Sequence, residues 1–193
     1  MTSIVLDNRT PYPSELDQRP YARGPHRALL ATADAFARES RLDELAYSAG
    51  VDPVAFRLGL LDDERLASVI EAAARRFGWQ FPWCPAGGPA LWAKGSLRRG
   101  AGIAVGLEEG RRVATCVEVR PGGIAQVRVT RIVTAYEGDA PGLGVVLVDR
   151  PDLASACAGE MPMTAVVPAI ANAIFAATGR RLHSPPPISA VGT

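Results

Sequence analysis

A chain of 193 residues is long enough for one domain with a buried core, and its hydrophobic share of 48% is ordinary for a globular protein. The formal net charge of +1 gives no global field toward nucleic acid or an anionic membrane, so neither is expected as a partner. Cys84, Cys116 and Cys157 form no CxxC pair, which argues against a structural zinc or iron–sulfur site and suits a reducing cytoplasm. Met1–Thr10 has no apolar segment of the secretory kind, and no apolar run is long enough to span a bilayer. Lys94 is the sole lysine, and with the abundant Ala, Gly and Pro this points to high-GC bacterial coding rather than to arginine-based chemistry.

Residues 1–26 are polar and proline-rich and read as an extended arm with one short strand at Ser3–Leu6. Arg27–Ala49 carries Leu30, Ala33, Phe36, Ala37, Leu42, Leu45 and Ala46 at helical spacing, with Gly50 as a stop. Asp52-Pro53 has the chemistry of a cap and first helical position, opening a short helix. Asp62 or Asp63 caps a third helix, Glu64–Phe77, whose buried face is Leu66, Val69, Ile70, Ala73 and Phe77, with Gly78 ending it. Residues 79–101 form a loop in which Trp79, Trp83 and Trp92 either line a pocket or cover the core.

Strands are expected at Gly102–Leu107, Arg112–Arg120, Ile124–Tyr136 and Gly144–Asp149, with Pro121-Gly122-Gly123 as a hairpin turn. The alternation in Val127–Val133 suits a sheet with one solvated face. A last helix, Thr164–Thr178, is ended by Gly179, and residues 183–193 form a Pro-rich tail. The expected fold is therefore α+β: one two-layer domain over residues 1–193, with helices packed on one face of an antiparallel sheet.

Three blocks carry a family likeness. The first runs Phe36-Ala37-Arg38-Glu39-Ser40-Arg41-Leu42-Asp43-Glu44-Leu45-Ala46 and on through Gly50-Val51-Asp52-Pro53-Val54-Ala55-Phe56-Arg57. The second is Arg99-Gly100-Ala101-Gly102-Ile103-Ala104-Val105, followed by strands ending in Val-Glu-Val. The third is Gly159-Glu160-Met161-Pro162, then Pro168 through Leu182, including Ala171-Asn172-Ala173-Ile174-Phe175 and Gly179-Arg180-Arg181-Leu182. Together they resemble the C-terminal part of the molybdopterin-binding subunit of the xanthine dehydrogenase/aldehyde oxidase family, which implies a fold like that subunit's cofactor-binding domain. The chain departs from the family in length, in lacking the N-terminal half with its pterin-holding glycine loops, and in joining Tyr136 to Val145 by eight residues, Glu137–Gly144, where the family has a long cofactor-contacting segment.

A pterin dinucleotide needs many fixed N–H donors and basic groups, and no glycine-rich loop opens a helix in this sequence; Gly87-Gly88 and Gly122-Gly123 read as turns. The expected cofactor is accordingly none.

By the resemblance, Glu160 matches the family's active-site glutamate, the acid/base, and Arg27 its substrate-orienting arginine. The alternatives are a capping role for Glu160 and a surface place for Arg27. His26, Arg23, Tyr21 and Trp92 are candidate pocket residues beside them. His26 and His183, the only histidines, are far apart in sequence and make no metal site. Ser40 and Cys116 lack a nucleophile signature.

Two functional readings and a bland one follow. The first is a cofactor-independent cyclase or isomerase acting on an apolar carbonyl-bearing intermediate, in bacterial polyketide or related secondary metabolism, with Glu160 and Arg27 at the substrate. The second is an accessory or split subunit of a molybdenum hydroxylase, with a companion chain supplying the cofactor. The third is a non-catalytic binding domain. A homo-oligomer is compatible with each.

Overall fold

The computed structural model describes residues 25–79, 99–108, 111–123, 126–138, 145–150 and 163–185. The expected strand Ser3–Leu6, Trp83 and Trp92 with most of their loop, and the end of the Pro-rich tail lie outside the described residues. The elements are α1 (Pro25–Ala49), α2 (Pro53–Leu58), α3 (Glu64–Phe77), β1 (Gly100–Glu108), β2 (Arg111–Gly123), β3 (Gln126–Glu137), β4 (Val145–Arg150) and α4 (Met163–Thr178).

The helix ends follow local chemistry. Asp52 Oδ1 accepts from the backbone N–H groups of Val54 and Ala55 at 2.9 and 3.0 Å, and Pro53 fills the first helical position, where no N–H is needed. Asp63, of the two candidates, caps α3 by accepting from Arg65 and Leu66. Gly50, Gly78 and Gly179 follow α1, α3 and α4 with φ of 66°, 67° and 71°, the left-handed region that glycine enters without a Cβ penalty. α1 starts at Pro25, one half-turn before the expected Arg27.

The four strands form an antiparallel meander in the order β1-β2-β3-β4. Pairing continues through Pro121↔Val127 to Gly123↔Gln126, with a register shift between them. Pro121-Gly122-Gly123 is thus the irregular end of a strand, and not the hairpin turn expected of it.

Helices cover both faces of the sheet, which corrects the expected two-layer arrangement. Successive strand residues point to opposite faces. Ala101, Ile103 and Val105 of β1 join Ala114, Cys116, Val133 and Ala135 in a core with Leu66, Val69, Ile70, Ala73 and Phe77 of α3. The intervening Gly100, Gly102 and Gly106 face α4, as does Ala104, which packs with Val117, Val119, Ile132, Val166, Ala169 and Ala173. A Cβ on Gly100 or Gly102 would run into the α4 backbone at Ala173. The second helical layer is therefore built on missing side chains, a signal that a hydrophobic pattern does not carry. The alternation in Val127–Val133 marks a solvated tip; one pair further in, Ile132 and Val133 are both fully buried.

α1 lies against α4 and along the outer edge of β1. Among the described residues no strand pairs with that edge, and side chains take up its carbonyls. Asn172 Nδ2 donates to Ile103 O at 3.1 Å, Arg38 Nη2 to Val105 O at 3.3 Å, and Thr164 Oγ1 to Leu107 O at 3.3 Å. Both ends of α3 are tied to the sheet. Arg112 bridges Asp63 (2.6 Å) and Glu137 (3.0 Å), and Arg131 donates to the terminal carbonyls of Arg76 and Phe77, both at 3.1 Å.

Gly102→Ala is expected to lower stability by roughly 1–3 kcal/mol or more, the cost of overpacking against immovable backbone. Gly59→Ala, where a Cβ meets nothing closer than 3.4 Å, is the matched control and should melt close to the parent. Thermal unfolding of the two variants side by side checks this.

Candidate functional site

The residues of the family-like blocks meet in space as a buried polar junction between α1, α2, α4 and β1. Glu39 and Arg57 have side chains with 0% exposure. Arg57 Nε donates to Glu39 Oε2 at 3.0 Å, Nη1 to Pro53 O at 3.0 Å and Nη2 to Glu39 O at 3.1 Å. Asn172 Nδ2 also reaches Glu39 O at 3.4 Å, and its Oδ1 accepts from Arg181 Nη1 at 2.7 Å. Arg181 Nη2 donates to Asp43 Oδ2 at 2.8 Å, and the guanidinium stacks on Phe175, its carbon 3.7 Å from the ring centre. Burial pushes the Asp43 carboxyl above its ordinary value of 3.8, and Glu39 adds to that, against the pull of Arg57 and Arg181.

These side chains bond to one another and to backbone, so the junction holds helices in place and offers little to a ligand. None of its members is singled out as functional by the sequence. The available signal is polar residues inside apolar runs, Asn172 within Ala171–Phe175 and Arg57 closing Pro53–Arg57, where burial demands partners.

The junction sets a direction. Phe36 packs on Val167 and Ala171, Glu39 meets Asn172, Tyr47 meets Phe175 with ring centres 5.5 Å apart, and Asp43 meets Arg181 beyond the end of α4. Contacts that advance together along both chains mean that α1 and α4 run parallel. Their N-termini therefore lie at the same end. From the Phe36–Val167 contact, Arg27 stands about 13 Å back along α1, and Met163 about 6 Å back along α4.

His26 and Arg27 thus sit in the first turn of α1, at the end where α4 begins, three residues after Glu160. The earlier helix start places Arg27 at the third position of the helix rather than at the first. Glu160, Tyr21, Arg23 and Trp92 lie outside the described residues. Cys116 is fully buried in the sheet, where burial pushes its thiol well up, as befits a core residue.

A Cβ at Gly100, Gly102 or Gly106 would run into α4, so these glycines serve the contact between helix and strand. Among the described residues no group of three or more His, Cys, Asp or Glu could hold a metal ion. Among them, too, no helix is long and apolar enough to cross a membrane.

The chain is 42% identical over 78 residues to a nicotinate dehydrogenase subunit of Pseudomonas putida, a protein of the molybdenum hydroxylase family. The match covers 40% of this chain and 6% of that protein. It supports, over that stretch, the likeness to xanthine dehydrogenase-type enzymes read from the sequence. No protein-family model matches the chain, and no solved structure does.

Substitution tests the charged contacts. Arg57→Met strands a buried carboxylate and is expected to cost about 3–5 kcal/mol, whereas adding Glu39→Met should recover much of the loss; denaturant titration of both reads it. A second expectation concerns acid. Burial acts upward on the Asp63 carboxyl, but the hydrogen bond and charge of Arg112 and two backbone amides outweigh it and leave it below its ordinary 3.8. Burial likewise acts upward on Glu118, but hydrogen bonds from Thr130, Arg120 and Arg99 and the Arg99 charge leave it below its ordinary 4.5. A carboxylate held below its unfolded value stabilises the fold above that value and loses this as pH falls through the folded one. The acid limb of stability between roughly pH 5 and 2 should therefore flatten in Asp63→Asn, measured as denaturant midpoint against pH.

Proposed function

We propose that this chain is an accessory module of a molybdenum hydroxylase assembly, forming part of the substrate side while a companion chain holds the cofactor. The observation that carries this is the 42% identity to a subunit of nicotinate dehydrogenase. The parallel packing of α1 and α4 supports it, because it puts the turn bearing Arg27 and the start of the helix after Glu160 at one end. When bound, the companion's cofactor would supply the redox chemistry. Glu160 holds or takes a proton, and Arg27 orients a substrate oxygen with its fork of donors. Tyr21, Arg23, His26 and Trp92 are the pocket residues of the same reading. The cofactor-free cyclase uses the same corner, but the similarity to a dehydrogenase subunit favours the companion.

The test is to purify the assembly from its native source and measure molybdenum and pterin per chain, with nicotinate as the first substrate. The expected result is metal in the assembly, none on the separated chain, and a kcat about 10²–10⁴ lower in Glu160→Gln with metal content unchanged. Stoichiometric molybdopterin on the separated chain would overturn the reading, as would a native chain that runs alone.

A further inference from the structure

We draw no further inference here: the strongest candidate, the side-chain clamp at the start of α4 where Thr164 donates to Leu107 O at the end of β1, would act only on Glu160, whose segment lies outside the described residues.

Discussion

A guanidinium wholly removed from water dictates much of this fold. Arg57 can be buried only if its charge is matched and its donors are taken, and Glu39 and the backbone of residues 39 and 53 meet that demand. The acceptors come from α1 and from the first turn of α2, so the connection between those helices is fixed in angle as well as in length. Asn172 then joins α4 to the same carbonyl and to the edge of β1. Removing any one of these elements would leave a polar group buried and unanswered.

The helix boundaries were legible because each rests on chemistry within a few residues, such as Asp52-Pro53, Asp63 and Gly78. The covering of both sheet faces was not. It depends on Gly100, Gly102 and Gly106 sharing one side of β1, and small residues on a strand look alike whether they face solvent or a helix. The apparent solvated face in Val127–Val133 was a true feature of the sheet's tip, extended too far inward. The polar junction was hidden for another reason: its bonds join residue 39 to 57 and 172, and 43 to 181, and separations of that kind leave no periodic trace. Of the candidate site, the helix that begins at Arg27's turn and the helix that follows Glu160 were legible from patterning, whereas the choice of those two residues rests on the family likeness alone.

That likeness takes on a different meaning in three dimensions. Much of what makes the first and third blocks recognisable, the Glu39, Asp43, Arg57, Asn172 and Arg181 set, is spent on holding helices together. Identity concentrated in such residues reports a shared scaffold more directly than a shared reaction. The 78-residue match is consistent with a scaffold reused.

The bare contact between α4 and β1 has a mechanical consequence. Where side chains separate a helix from a sheet, small slips are absorbed by rotamer changes. Here main chain rests on main chain at Gly100 and Gly102, and little such lubrication exists. A force that tilts α4 at its N-terminal end must carry the strand with it, so helix and sheet move as one lever. Its far arm ends at Gly100, next to Arg99.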